Sequence, residues 1–304
     1  MDMDSKCAPP TTTVYFDSST YDHADKSIGV DASDIKLVER AFASGAYSLE
    51  FGVHVLEEWM RWAARSAPDR QQTLGQIQLA RRWVNPKRIF RQHRDLAMEA
   101  VIAAFSGSRL PEPFEYREDY LCGALEDLLS SDGEAAEAER RRLSSWVDER
   151  ISEFNDLILS TAPELMEAWS SKRRGATIEA KSLYFYEQRL KSAVSFARTT
   201  RFAPITPEVV ERILATPFTK GYCEAAASLL CSYRFDGRRV DAGDSRDLMH
   251  AALAAHTQIF VTEDARFAKV LKRIPARGYE VMSLPEFVHA VRACVGTTQL
   301  SGVA

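Results

Sequence analysis

The front of the chain alternates short apolar runs with apolar residues at helical spacing. Thr12 to Phe16 is a β-branched and aromatic run that ends at Asp17, and it predicts a strand. Residues 35–42 follow with helical spacing, residues 47–51 predict a second strand, and residues 53–62 predict a second helix. This order of strand, helix, strand and helix is typical of the opening of a parallel α/β sheet.

The rear of the chain repeats this alternation. Its predicted elements, in chain order, are helices near 207–215 and 219–233, a helix from Asp244 or Ser245 to about His256, a strand at 259–262, a helix at 265–272, a strand at 279–282 and a helix at 284–294. Because strands alternate with helices at both ends, we expect one α/β domain with a central, mostly parallel sheet.

The middle of the chain has helical periodicity and almost no strand signal. Its predicted helices lie near 71–84, 87–105, 119–130, 134–159, 163–171 and 177–199. We therefore predict a discontinuous α/β domain formed by residues 12–62 and 202–295, with an all-helical insertion at 63–201. Residues 1–11 and 296–304 are predicted to be flexible tails.

Acidic residues stand at the boundaries of these predicted elements. Asp17 ends the first strand, Asp247 lies in the first turn of a helix, and Asp264 follows a strand. Residues beyond the carboxyl ends of parallel strands line the crevice where ligands bind. Carboxylates that converge there repel each other, which favours a divalent cation between them. The alternatives are helix capping for Asp17 and Asp264 and helix-dipole compensation for Asp247.

Four segments carry a resemblance to a known family. They are Val14–Ser19, Val53–Trp59, the run DLMHAALA from Asp247, and the run FVTED that ends at Asp264. In this order they resemble a PIN (PilT N-terminus) nuclease domain. The resemblance implies a three-layer PIN-like α/β fold with an acidic set that binds one or two Mg²⁺ or Mn²⁺ ions and hydrolyses RNA.

The resemblance also implies a set of site residues. The catalytic residues are Asp17, Glu58, Asp247, Asp264 and Thr262, and the metal ligands are Asp17, Glu58, Asp244, Asp247 and Asp264. Thr262 corresponds to a Ser or Thr that orients the attacking water, and Ser19 has a small polar position suited to the same task.

Two of these assignments leave alternatives open. Glu57 and Glu58 are adjacent, and neighbouring helical positions point about 100° apart, so only one can face the crevice. The family usually follows its Glu with an aliphatic or aromatic residue, which favours Glu58 before Trp59. Asp244 precedes Asp247 by three positions and can share its face, but it is also suited to be a helix cap.

Basic residues of the middle region supply a candidate RNA surface. Arg88, Arg91, Arg173 and Arg174 are the predicted substrate-binding residues beside Ser19, and aromatic residues at 184–186 are available for stacking. The alternative is an ordinary solvated helix surface, because acidic residues are also abundant there.

Composition and charge limit how the protein can bind nucleic acid and where it can reside. The net charge is −4, so nucleic acid would bind at a local basic patch of an acidic protein. Five cysteines without a C-x-x-C pair are typical of reduced thiols in a cytoplasmic protein. The acidic N-terminus does not resemble a signal peptide, and the longest apolar runs are shorter than a membrane helix requires. We expect a cytoplasmic protein without a membrane partner.

These observations predict a divalent-metal-dependent endoribonuclease. A non-catalytic PIN-like RNA-binding or scaffold protein is the first alternative. The second is a metal-free nuclease of the HEPN type, because Arg88 and His93 resemble its R-x4–6-H signature. A homodimer and an antitoxin-like protein partner are open alternatives for its assembly, although the chain is larger than most small PIN toxins.

Overall fold

The structure is a computed structural model that describes residues 11–115, 123–160, 178–198, 204–239 and 243–300. Several predicted features lie outside these ranges: residues 1–10 and 301–304 of the predicted tails, the helix near 163–171, and the predicted substrate-binding residues Arg173 and Arg174.

A six-stranded sheet lies at the centre of the protein. Its strands are β1 (Thr12–Phe16), β2 (Tyr47–Gly52), β3 (Val84–Phe90), β4 (Phe114–Glu115), β5 (Ile259–Val261) and β6 (Glu280–Met282). The strand order is β4-β3-β2-β1-β5-β6. All neighbouring pairs are parallel except β3 with β4. The predicted α/β class with a mostly parallel sheet is confirmed.

Helices connect and flank the strands. Those of the front half are α1 (Ser18–Asp25), α2 (Ala32–Ala43), α3 (Val53–Ala63), α4 (Ala67–Trp83), α5 (His93–Ser106), α6 (Gly123–Ser130) and α7 (Glu134–Ser160). Those of the rear half are α8 (Ile178–Arg198), α9 (Pro207–Ala215), α10 (Pro217–Asp236), α11 (Asp244–Ala254), α12 (Ala265–Lys272) and α13 (Leu284–Leu300). Among the helices in the described ranges, none is both long enough and apolar enough to cross a membrane.

Successive side chains of β1 pack against helices on opposite faces of the sheet. The hydroxyl of Tyr15 contacts His250 of α11 on one face. On the other face the ring of Phe16 makes edge contacts with Tyr21 of α1 and Phe287 of α13. The sheet therefore has helices on both faces, an arrangement compatible with a three-layer α/β fold.

The predicted all-helical character of residues 63–201 is wrong at β3 and β4. The helix predicted at 87–105 begins only at His93, because Val84–Phe90 forms a strand beside β2. The strand was hidden by its exposed polar middle, since Asn85, Pro86 and Lys87 interrupt the apolar pattern. For the rest of this region, the division between an α/β domain and a helical insertion stays a prediction.

The rear of the chain adds the strands β5 and β6 to the sheet beside β1. Residues Val14–Phe16 pair in parallel with Ile259–Val261, and β6 adds on the outside of β5. The last helix, α13, continues to Leu300, beyond the predicted end near residue 294 and into the segment predicted to be a flexible tail. Pairing of β1 with β5 brings residues from both ends of the chain to one edge of the sheet.

Candidate functional site

Asp17 lies at the point where β1 ends and α1 begins. Its side chain is 5% exposed and forms the N-cap of α1. Oδ1 accepts hydrogen bonds from the Ser19 hydroxyl at 2.8 Å, the Thr20 amide at 2.9 Å and the Thr20 hydroxyl at 2.8 Å. Oδ2 accepts one from the Thr262 hydroxyl at 2.5 Å. Four donors thus hold one buried carboxylate, which offsets the cost of its desolvation.

Thr262 links the ends of the two adjacent strands. Its hydroxyl donates to Asp17 and accepts from the Asp264 amide at 3.1 Å. The Asp264 carboxylate caps α12, where Oδ1 accepts from the amides of Arg266 and Phe267 at 2.8 and 2.9 Å. Asp17 and Asp264 are therefore helix caps that also lie at the carboxyl ends of two adjacent strands. Helix capping does not exclude a further role for either residue.

Glu58 points from α3 toward the same edge. It is 6% exposed, and the hydroxyl of Ser18 donates to its Oε2. Its Oε1 lies 3.6 Å from Arg246 Nε and 3.6 Å from His250 Nε2, both on α11. Burial by itself raises the pKa of Glu58, but these contacts with His250, Arg246 and Ser18 lower it below its usual value. Glu58 is therefore ionised at neutral pH.

Behind Glu58 lies a buried cluster that the sequence did not predict. The Tyr15 hydroxyl lies 3.0 Å from His54 Nε2 and 2.8 Å from His250 Nδ1, and the two imidazole nitrogens are 2.9 Å apart. Burial and the neighbouring His250 lower the pKa of His54. Burial also lowers the pKa of His250, but Glu58, together with the charges of Asp17 and Asp247, outweighs burial and raises that pKa overall. Gly52 allows this packing, because an added Cβ would lie 2.9 Å from the Tyr15 hydroxyl oxygen and 2.8 Å from a His54 ring carbon.

Asp247 carries the most perturbed carboxylate of this edge. It lies in the first turn of α11 with its side chain 19% exposed. Burial raises its pKa to about 8; the charges of Asp264 and Asp244 add to the rise, and His250 and Arg238 oppose it. Because Asp264 and Asp244 influence Asp247 directly, these three carboxylates belong to one electrostatic group.

Asp244 is already paired with other side chains. It is 6% exposed, Tyr233 of α10 donates to its Oδ2, and Arg238 forms an ion pair with its Oδ1. Arg238 also lies 3.8 Å from Asp247. In this structure, Asp244 thus orients the guanidinium group of Arg238 beside the predicted site. No sequence pattern marks Tyr233 or Arg238 as members of the site.

The arrangement of possible metal ligands can be judged only for the part of the chain that the structure describes. Within the described ranges, no group of three or more His, Cys, Asp or Glu side chains is arranged to hold a metal ion. Arg246 contacts Glu58, and Arg238 contacts Asp244 and Asp247. These two guanidinium groups partly balance the clustered negative charge.

The predicted substrate-binding arginines that the structure describes are paired internally. Arg88 forms an ion pair with the fully buried Glu50 of β2, and its guanidinium lies 3.8 Å from the centre of the Phe114 ring. Burial raises the pKa of Glu50 to about 7, and Arg88 opposes that rise. Arg91 makes two 2.6 Å hydrogen bonds to Glu99. Arg88 lies on a strand, so the helical setting of the HEPN-type signature is absent at this position.

Hydrogen bonds therefore join Asp17, Thr262 and Asp264, and Ser18 beside Asp17 joins Glu58 to them. Asp247 is linked to them through the charge of Asp264, which raises its pKa. The side chains that the sequence did not identify are Tyr15, Ser18, His54, Tyr233, Arg238 and Arg246. An ordinary arginine or histidine has no sequence signal until the partner that it contacts is known. No protein-family model, no curated protein and no solved structure matches this chain.

Proposed function

We propose that this protein is a PIN-like, divalent-metal-dependent endoribonuclease. The observation that carries the proposal is the link through Thr262, which joins Asp17 to Asp264 at the ends of β1 and β5. Glu58 of α3 accepts a hydrogen bond from Ser18, which follows Asp17, and Asp247 of α11 has its pKa raised by the charge of Asp264. Carboxylates grouped at the carboxyl ends of parallel strands suit a site for a cation and a phosphate ester.

The chemistry of the side chains fits Mg²⁺ or Mn²⁺. These ions prefer oxygen ligands, and the grouped carboxylates carry charge that a cation would relieve. The raised pKa of Asp247 reports burial together with that crowding. Because the described residues form no group of three ligands, binding would require side chains to move together and Arg238 or Arg246 to release a carboxylate.

A bound ion would supply Lewis acidity, neutralise charge at phosphorus and lower the pKa of a water molecule. The protein's own residues have separate tasks. Thr262 and Ser19 fix the orientation of the Asp17 carboxylate through hydrogen bonds of 2.5 and 2.8 Å. His250 keeps Glu58 ionised, and the cationic Arg246 lies near enough to attract a phosphate.

The test is cleavage of a mixed RNA pool by the wild-type protein and by Asp17→Asn, each with Mn²⁺ and with EDTA. Asparagine also caps helices well, so this variant keeps the start of α1 while it loses the negative charge. We expect cleavage that EDTA abolishes and that the variant lacks. Equal cleavage by both proteins would overturn the proposed site.

A non-catalytic PIN-like RNA-binding or scaffold protein is the second candidate. The pairing of Asp244 with Arg238 and Tyr233, and of Glu58 with Arg246, favours it, because paired carboxylates can be purely structural. Thermal unfolding with and without Mn²⁺ separates the two, since a ligand that binds only the folded state raises its stability. The homodimer, the antitoxin-like partner and the cytoplasmic location stay predictions from the sequence.

A further inference from the structure

We propose that a cavity beside the carboxylates is a subsite for one unstacked guanine base of the RNA strand. The inference deepens the proposed function and rests on it. The cavity has a volume of about 240 Å³ and lies between α1, α3 and α4. The side chains of its lining that the argument uses are Ser19, Asp22, Trp62, Arg65, Asp69 and Gln72.

The cavity is directly adjacent to the proposed catalytic edge. Ser19 lines it, and the same hydroxyl donates to Asp17 Oδ1 at 2.8 Å and accepts from the Glu263 amide at 3.0 Å. Trp62 follows Glu58 by four positions on α3, so both side chains lie on one face about one turn, or 5.4 Å, apart. A strand with a phosphate at the carboxylates can therefore place a neighbouring base in the cavity.

The size of the cavity suits a single base. Pockets for drug-sized ligands have volumes of roughly 300–1,000 Å³, and this cavity is slightly smaller. Single-stranded RNA is recognised by bases that leave the stack, pack on aromatic side chains and form hydrogen bonds through their edges. Trp62 is the aromatic residue of the lining.

Arg65 supplies the positive charge that a nucleotide requires. Its side chain is exposed at the rim of the cavity, and within the described part of the chain no carboxylate forms an ion pair with it. This distinguishes Arg65 from Arg88 and Arg91, whose charges are balanced by Glu50 and Glu99. Arg65 is therefore available to a phosphate group or to the carbonyl oxygen of a base.

Two acceptors of the lining, on Asp69 and Gln72, favour a base edge with hydrogen-bond donors. Asp69 accepts from Ser66 through Oδ2 at 2.6 Å, and among the described residues its Oδ1 has no partner. The amide nitrogen of Gln72 donates to Asp22, which leaves the Gln72 carbonyl as an acceptor. Guanine presents two adjacent donors, N1–H and the 2-amino group, beside an acceptor oxygen. Uracil presents only one donor between two acceptors, so the acidic lining disfavours it.

The experiment is a calorimetric titration of the full chain with 5′-GMP and with 5′-UMP in EDTA, where no cleavage occurs. The proteins are the wild type, Asp69→Asn, Trp62→Phe and Asp31→Asn. The last is a matched control, because Asp31 is an exposed carboxylate that caps α2, away from the cavity lining. Thermal unfolding establishes that each variant is folded.

We expect GMP to bind at least about tenfold more tightly than UMP, a ratio that corresponds to one charge-assisted hydrogen bond. Asp69→Asn should remove this preference, Trp62→Phe should weaken both nucleotides through reduced stacking area, and Asp31→Asn should leave both affinities unchanged. Equal affinities for GMP and UMP, or a preference that survives Asp69→Asn, would overturn the subsite.

Failure of the subsite and failure of the nuclease proposal give different results. GMP selectivity in a protein that never cleaves RNA would support the subsite and count against the proposed activity. Mn²⁺-dependent cleavage by a protein that binds GMP and UMP equally would overturn the subsite and leave the proposed activity in place.

Discussion

Two carboxylate sites in this protein, one at Glu50 and one around Asp247, differ in the way their negative charge is balanced. Glu50 of β2 has one ion-pair partner that spans neighbouring strands, Arg88 of β3. Asp247 instead lies near two further carboxylates, Asp264 and Asp244, whose charges raise its pKa, and His250 and Arg238 act against that rise. Arg88 also lies 4.0 Å from the exposed Glu112, but its contact with Glu50 gives that buried carboxylate a counterion in direct contact. A group of carboxylates with excess negative charge instead gains stability from an added cation.

The largest expected difference between the two groups is in activity. Asp264→Asn should reduce Mn²⁺-dependent RNA cleavage by about 10³-fold, because several kcal/mol of transition-state stabilisation depends on the ion. Glu50→Gln should retain activity, because Glu50 lies outside the Thr262-linked carboxylates. Initial rates on a labelled RNA at saturating Mn²⁺ measure both. Equal losses in the two variants would remove the distinction between the groups.

The next effect is a gain of stability from Asp247→Asn in the metal-free protein. The pKa of Asp247 is raised from 3.8 to about 8 in the folded state, so the folded protein binds the proton more tightly than the unfolded chain. The stabilisation of the folded state by this tighter proton binding is fully present below pH 3.8 and is lost as the pH rises through about 8. At about pH 9 the variant should therefore be more stable by several kcal/mol.

Urea unfolding in EDTA at about pH 5 and pH 9 measures this gain. The advantage of Asp247→Asn over the wild type should grow with pH. A variant that is less stable than the wild type at the higher pH would mean that Asp247 is favourably paired in the folded protein.

Arg88→Met should have the opposite sign and a smaller size. The pKa of Glu50 is raised from 4.5 to about 7, so its stabilising protonation is present below pH 4.5 and is lost as the pH rises through about 7. Above that range the ionised Glu50 needs Arg88. The variant should lose about 2 kcal/mol at about pH 8 and less at about pH 5. A loss independent of pH, in urea unfolding, would assign the effect to packing on Phe114 instead.

The smallest effect concerns the packing behind Glu58. Gly52→Ala would place a Cβ 2.8 Å from a Leu253 methyl carbon and 2.9 Å from the Tyr15 hydroxyl oxygen. Overpacking of this kind costs about 1–2 kcal/mol. Thermal unfolding of Gly52→Ala is compared with that of Gly45→Ala. Gly45 has open space but a φ of +75°, so its substitution costs backbone strain without overpacking. A Gly52→Ala protein as stable as the wild type would show that the cluster tolerates repacking.

The sequence predicted the strands and helices with strong apolar periodicity, because burial imposes that periodicity directly. The sequence singled out Asp17 and Asp264 as candidate site residues because each follows an apolar run, and the structure places each beside a strand end. β3 was missed because its centre is exposed and polar, so its strand pattern is interrupted. Arg246 was missed because its significance depends on Glu58, which is distant in sequence and close only after folding.

The pairing of β1 with β5 has a consequence for synthesis of the chain. Thr262 and Asp17 are 245 positions apart, and their hydrogen bond forms only after residue 262 has been made. Contacts between such distant segments form late, since a long loop must close first. A nascent chain that has not reached Asp264 would therefore carry the first carboxylate, Asp17, without the partners to which Thr262 links it.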